Sequence, residues 1–383
     1  MIPKPNIEEL AETPWAQDMA LCMQDKEWHP EGDVWTHTCK AYDALFNLID
    51  YDSLSSGEKR IVEWALVLHD VGKPKTSVME NGRIKSPRHS KVGAYLARKI
   101  LAGYNVDPTT RELIVRLVRN HSKPVFAMQE EDLAERRIIE LSYRTEPRLL
   151  YPLAKADTAG RDGVGADPMD TWIDLWQEKC QEMDCYDAPY QFANDMARFL
   201  FFRNELSSLH YTPHEEYSCE VIMMAGLPGA GKDTWLSKHG KDLPVISLDN
   251  IRSQLKVTPM DGDGRIYPIA RERCQKLLRL RRNFAYNATN INRDTRRRWI
   301  NLFHQYGAKV TIVYIEPLLD VIFQQNEERE NPVPVNIIHE MFDNLDVPDL
   351  TECHKLVMGN FHEKRPAGIN RLDKNCPVAS EQQ

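Results

Sequence analysis

Val221-Ile222-Met223-Met224-Ala225-Gly226-Leu227-Pro228-Gly229-Ala230-Gly231-Lys232-Asp233-Thr234 carries an apolar run into a glycine-rich turn, then into a lysine that opens a helix. Gly226, Gly229 and Gly231 let backbone N–H groups converge on an anion without Cβ interference, and a helix N-terminus adds positive potential. The pattern predicts an α/β domain whose first turn cradles phosphates. Lys232 is placed to neutralise the β and γ phosphates of a nucleoside triphosphate, with Ala230 completing the loop. The next residue is usually Ser or Thr, whose hydroxyl binds magnesium; here it is Asp233, with Thr234 following. A carboxylate there either holds the metal, directly or through water, or marks a lost site.

At 383 residues the chain is long enough for two domains, each with its own core. Apolar content of 42% and charged content of 28% are ordinary for a globular protein. No apolar run is long enough to span a membrane, and Met1-Ile2-Pro3-Lys4-Pro5 lacks a signal-peptide core, so no membrane association and a cytoplasmic location are expected. The 8 cysteines contain no CxxC pair, which fits a reducing compartment better than a disulfide or zinc framework. With a formal net charge of −8, any nucleic-acid contact must come from local basic patches.

From Thr36 to about Leu153 the periodicity is helical almost throughout, and a further helical region runs through Trp172 to Met183 and Phe192 to Leu206. No alternating pattern competes, so this half is expected to be all-α. From Cys219 the texture becomes α/β, with strands expected at Glu220–Ala225, Val245–Leu248, Phe284–Ala288 and Lys309–Ile315. The fold class is therefore an all-α helical bundle followed by an α/β domain with a parallel sheet. The expected division is 1–185, a helical connector at 186–218, 219–362, and a flexible tail at 363–383.

The helical half offers His37, His69-Asp70, His89, His121 and Asp157. Adjacent His and Asp on one helix, joined by ligands from other helices, suit a divalent metal in a bundle. Imidazole with carboxylate favours manganese, iron, nickel, cobalt or zinc over magnesium. Asp70 is the carboxylate that can bridge two ions, an arrangement suited to phosphoester hydrolysis.

These residues carry a resemblance. His69-Asp70-Val71-Gly72-Lys73-Pro74, His89-Ser90-Lys91-Val92-Gly93-Ala94, Asn120-His121 and Ala156-Asp157-Thr158-Ala159-Gly160-Arg161 are similar to the HD phosphohydrolase superfamily, in particular the HD domain attached to bacterial CCA-adding enzymes. The likeness covers roughly residues 30 to 165. It implies that His37, His69, Asp70 and Asp157 are the four basic metal ligands, that His89 and His121 are an extra pair for a second metal, and that Lys73 and Arg161 contact phosphate.

In the second half, Ser247-Leu248-Asp249-Asn250-Ile251-Arg252 places a carboxylate at the end of the second expected strand, where ligands sit in open α/β sheets. Asp249 is either the acceptor of a hydroxyl proton or simply the N-cap of the next helix. Arg252, one turn on, is placed to hold an acceptor phosphate. From about 219 to 345 the chain resembles the 5′-hydroxyl polynucleotide kinases. The resemblance implies that Asp249 is the general base, Arg252 the acceptor-phosphate clamp and Arg329, in Gln325-Asn326-Glu327-Glu328-Arg329, the transition-state arginine of a lid. Asn287-Ala288-Thr289-Asn290 matches the strand end facing the site, with Asn290 expected at the nucleotide. Asn287 stands where family members often have aspartate, so the charge serving magnesium is expected to have moved to Asp233. Arg279 to Arg282 and Arg293 to Arg298 read as solvated helix faces, with Arg293 the one suited to a nucleic-acid path.

The combination resembles the bacterial HD-Pnk end-healing enzymes. It implies a 5′-OH kinase using ATP or GTP and magnesium, fused to a metal-dependent phosphoesterase acting on 2′,3′-cyclic, 2′ or 3′ phosphates. RNA or DNA ends would be the partners, with functional coupling to a nucleic-acid ligase. The alternatives are a nucleotide-metabolism enzyme, pairing a nucleotide phosphohydrolase with a nucleoside or metabolite kinase, and a nucleotide sensor without turnover.

Overall fold

The computed structural model describes residues 2–163, 166–256, 264–329 and 331–359; the tail expected at 363–383 lies outside them. Up to Phe202 the elements are helices, apart from one hairpin of β1 (Val78–Glu80) and β2 (Arg83–Lys85). The hairpin departs from the all-α expectation. Its turn is Asn81-Gly82, both at positive φ (52° and 76°), the pair that two-residue hairpin turns favour.

Helices Val34–Leu45, Ser56–Leu68, His89–Gly103, Pro108–Asn120 and Pro147–Ala159 bury their apolar stripes in one core that runs from Ile2 to Cys185 and includes the fully enclosed Trp64 and Trp176. Local signals start them: Asp33 and Asp107 cap two, and Ser55 with Glu58 forms a reciprocal capping box.

The second half is built on a five-stranded, all-parallel sheet: β3 (Glu220–Ala225), β4 (Val245–Ser247), β5 (Phe284–Asn287), β6 (Lys309–Ile315) and β7 (Lys355–Gly359). Its order is β4-β5-β3-β6-β7, so β3 is central and the strand order reverses beside it. Alternation splits the strands between two cores: Val221, Met223, Phe284, Tyr286, Ile312 and Tyr314 face one, and Met224, Ala285, Val313 and Ile315 the other. Four strands lie at the expected positions. β7 was not anticipated; Lys355-Leu356-Val357-Met358-Gly359 is an edge strand whose pairing to β6 is set only in the tertiary fold.

Helix Asp195–Phe202 joins the halves. Phe199 enters the sheet-side core and stacks on His354 at 3.9 Å, while Arg198 donates to the carbonyls of Leu350 and His354. Phe199 and Phe201 of this helix are thus core residues. Among the described residues no helix is long and apolar enough to cross a membrane, and seven cysteines are free.

Candidate functional site

In the helical half, His37, His69, Asp70, His89, His121 and Asp157 converge. His37 Nε2 lies 3.0 Å from Asp157 Oδ1, and His69 Nε2 lies 3.1 Å from Asp70 Oδ2 and 3.7 Å from Asp157 Oδ1. His89 Nε2 is 3.4 Å and His121 Nε2 3.9 Å from Asp70 Oδ1. Three sets of donor atoms among the described residues each fall within 4.8 Å; one is His29–Glu31–His37, and the other two are His37–His69–Asp70 and Asp70–His89–His121. Asp70 belongs to both of these last two, as its expected bridging place requires.

Each imidazole is turned the same way. His69, His89 and His121 place Nδ1 against the carbonyls of Leu66, Ser86 and Val118, each three residues back, at 2.6, 2.9 and 2.8 Å. His37 Nδ1 sits 2.9 Å from Glu31 Oε1. With Nδ1 of each ring engaged outward, the Nε2 atoms of all four histidines face inward. His69 Nε2 and Asp70 Oδ1 are buried and have no hydrogen-bond partner. Orphaned donors of this kind are what a divalent ion satisfies, so the residues fit a metal.

Burial and the imidazoles of His69 and His89 push His121 down to about 3, so it is neutral at physiological pH. Burial raises Asp70 and Asp157, but His69 and Lys73 outweigh it at Asp70, and Arg161 and His37 at Asp157; both stay ionised. Lys73 Nζ lies 2.7 Å from Asp70 Oδ2 and donates to Gln24 at 2.6 Å, and Arg161 donates to both Asp157 oxygens at 3.1 Å. Lys73 and Arg161, the expected phosphate contacts, therefore both lie at the His/Asp cluster. Gly72 closes the turn; a Cβ there would stand 2.2 Å from the His89 carbonyl oxygen, so only glycine allows this approach.

Glu31 and His29 belong to the site and were not anticipated. Glu31 Oε1 also holds His29 Nδ1 at 2.8 Å. The only sequence signal was a histidine and a carboxylate shortly before His37, in a stretch without helical periodicity.

The second site lies at the carboxyl ends of the parallel strands, in a cavity of about 1800 Å³ lined by the phosphate loop, Asp249, Arg252, Asn287 and Arg329. A site for one small ligand is typically about 300–1,000 Å³, so this one has room for donor and acceptor together. Gly226, Gly229 and Gly231 all have positive φ. Lys232 Nζ reaches the carbonyls of Gly226 and Leu227 at 3.0 and 2.8 Å, curling the loop around its own cation.

Ser247 caps the helix Leu248–Leu255 through the Asn250 N–H, which removes the N-cap reading of Asp249. The Asp249 carboxylate is exposed toward the cavity, 2.7 Å from Arg252 Nη1 and 3.7 Å from Arg329 Nη2. Asn326 bonds the backbone of Val333 in both directions, holding the loop after Arg329. Asn290 lines the cavity, but its amide donates to the Met224 carbonyl at 2.7 Å, which ties β3 to the end of β5. Arg296 is fully buried on Glu352, contrary to the solvated face expected there, while Arg293 is partly exposed and pairs with Asp349 at 3.1 Å.

Asn287 Nδ2 donates to Asp233 Oδ1 at 2.7 Å, so the two unusual residues touch. Asn287 Oδ1 is buried without a hydrogen-bond partner. A carboxylate and an amide oxygen thus stand together beside Lys232, the donor set that hydrated magnesium takes.

Three outcomes are expected. Asp233→Ala should abolish most turnover while Asp233→Ser keeps far more; equal activity of the alanine variant in steady-state assays would refute a metal role. Burial pulls Lys232 down from 10.5 to about 8, against the upward pull of Asp233 and Asp249. Bound phosphates restore its proton, so nucleotide affinity should fall as pH rises through that value. Calorimetry near pH ~9 in buffers of different ionisation enthalpy should show proton uptake on binding, and none would contradict the assignment. Glu31→Ala should weaken manganese affinity about 10–100-fold while Glu31→Gln, which keeps an accepting oxygen, retains most of it. Undiminished metal titration of the alanine variant would show that Glu31 has no such part.

The HD domain family matches residues 34–156, and an AAA domain family matches residues 221–348. Heterogeneous nuclear ribonucleoprotein U-like protein 2 of Mus musculus is 30% identical over 149 residues, covering 34% of this chain and 20% of that protein; the Homo sapiens protein matches to the same extent. L-seryl-tRNA(Sec) kinase of Methanococcus maripaludis is 22% identical over 140 residues, covering 33% of this chain and 53% of that protein. The chain thus spans from a fifth to about half the length of these curated relatives. Taken with the two sites, these matches make the chain an HD phosphohydrolase domain followed by a P-loop kinase-like domain.

Proposed function

We propose that the protein heals broken nucleic-acid ends, phosphorylating a 5′-hydroxyl and removing a 2′,3′-cyclic, 2′ or 3′ phosphate. The observation that carries this reading is the Asp249–Arg252 pair, 2.7 Å apart in the cavity that also holds the phosphate loop. A proton acceptor joined to a cation suits an acceptor that brings both a hydroxyl and a phosphate. A free nucleoside brings only the first. Two relatives whose names refer to RNA, a ribonucleoprotein and a tRNA kinase, favour an acceptor hydroxyl carried on RNA.

In the kinase step the 5′-oxygen attacks the γ-phosphorus of ATP or GTP, Asp249 takes its proton, and the nucleoside diphosphate leaves. Lys232 and Arg329 stabilise the charge that spreads over the transferring group, and Arg252 holds the acceptor phosphate. Magnesium, when bound, neutralises the donor phosphates; Asp233, with Asn287, would hold it. In the phosphoesterase site His37, His69, Asp70 and Asp157 would hold one divalent ion, and His89 and His121, with Asp70 shared, a second. Such ions, when bound, supply Lewis acidity and a water of lowered pKa. Lys73 and Arg161 orient the phosphoester and offset its charge. Repair of both sides of one break by a single chain would leave ends fit for a nucleic-acid ligase.

An oligonucleotide with 5′-OH and 3′-phosphate ends, incubated with γ-labelled ATP or GTP and a panel of divalent metals, tests this. Labelling of the 5′ end with loss of the 3′-phosphate is expected. Labelling of mononucleosides alone, or nucleotide binding without any transfer, would overturn it.

A further inference from the structure

Glu316 follows the last residue of β6 and is 1% exposed. Its neighbours Ile315 and Pro317 line the nucleotide cavity. Both of its carboxylate oxygens are engaged. Tyr314 OH donates to Oε2 at 2.5 Å, and Arg111 Nη2 donates to Oε1 at 2.7 Å. Arg111 belongs to the HD domain, on the helix that ends at His121, and among the described residues it supplies the only ion pair of Glu316.

This carboxylate is tied to the phosphate loop in two ways. Tyr314 is the register partner of Ala225, the residue before Gly226. A Cβ on Gly226 (φ +142°) would stand 2.3 Å from the Ile315 carbonyl oxygen, so the loop's first glycine rests on the backbone next to Glu316. Arg111 is itself fixed from behind. Its Nε donates to Glu112 Oε1 at 2.8 Å, and Glu112 is held through both oxygens by Arg98, whose Nη1 reaches the Leu345 carbonyl at 2.7 Å. A buried carboxylate without its cation must protonate or move toward water, and here moving displaces the floor of the phosphate loop.

We infer that Arg111, supplied by the HD domain, is a positioning residue for the phosphate loop of the kinase-like domain, acting through Glu316. The inference rests on that loop being a nucleotide site, not on the nature of the acceptor. It is therefore tested by nucleotide binding in the full chain, which does not depend on a polynucleotide accepting phosphate.

ATP and GTP affinities, manganese affinity and thermal midpoint are measured for Arg111→Met, Arg111→Lys, Lys99→Ala and the double variant Arg111→Met with Glu316→Gln. Lys99 bonds Asp343 across the same interface at 3.2 Å but does not touch Glu316. Arg111→Met should lose nucleotide affinity by about tenfold or more with manganese affinity unchanged, because a small shift at the phosphates is costly. The double variant, in which no charge is stranded, should recover most of that loss, and Lys99→Ala should bind like the parent. If Arg111→Met does not fold, Arg111→Lys carries the test, with a severalfold loss expected. Parent-like nucleotide binding in a folded Arg111 variant would overturn the inference. So would equal losses of nucleotide and manganese affinity, or an equal loss in Lys99→Ala, since each marks general loosening of the interface.

Discussion

Four buried charges, Arg98, Glu112, Arg111 and Glu316, join the two halves of this protein in one hydrogen-bonded chain. Two cations and two anions leave no net charge to bury. Burial disfavours the charged form of Glu112, yet the two arginines hold its carboxyl down to about 2. Removing one member of such a set costs about 3–5 kcal/mol, because the remaining charges are then stranded away from water. Arg98 and Arg111 sit on the helices that carry His89 and lead to His121, and Glu316 follows Ile315 at the edge of the cavity that holds the phosphate loop, so one set of buried charges touches the elements of both sites.

The two sites use one device in different forms: local backbone geometry turns a side chain so that its reactive atom is left free. In the HD domain, carbonyls three residues back fix the tautomers of His69, His89 and His121, and Glu31 does the same for His37. In the kinase-like domain Ser247 takes the capping duty that Asp249 could have performed, leaving that carboxylate to the cavity. Both are polar groups whose obvious local partners are satisfied elsewhere, which is how a fold reserves an atom for a ligand.

Much of this was readable in the chain. The apolar strand before Gly226, the spacing to Lys232, and the helical periods around His69, His89 and His121 are local, and each element formed where its own residues placed it. What was missed was mostly short or non-local. The β1–β2 hairpin has three residues per strand, too few for alternation to show, although Asn81-Gly82 marks its turn. β7 depends on pairing to β6. Glu31 lies in a stretch without period, and its link to His37 exists only once the loop folds back.

The sequence by itself determined two domains of different class and the phosphate loop, because these follow from periodicity and from residue types at short spacing; the six His/Asp residues, up to 120 positions apart, were legible only through their resemblance to the HD motifs. The tertiary structure alone decided that Asn287 bonds Asp233, that Arg293 pairs with Asp349 and Arg296 with Glu352, and that Arg111 reaches Glu316. Those facts join residues up to 205 positions apart. No local pattern encodes such partners, since a buried charge is matched by whatever opposite charge the packing brings within reach.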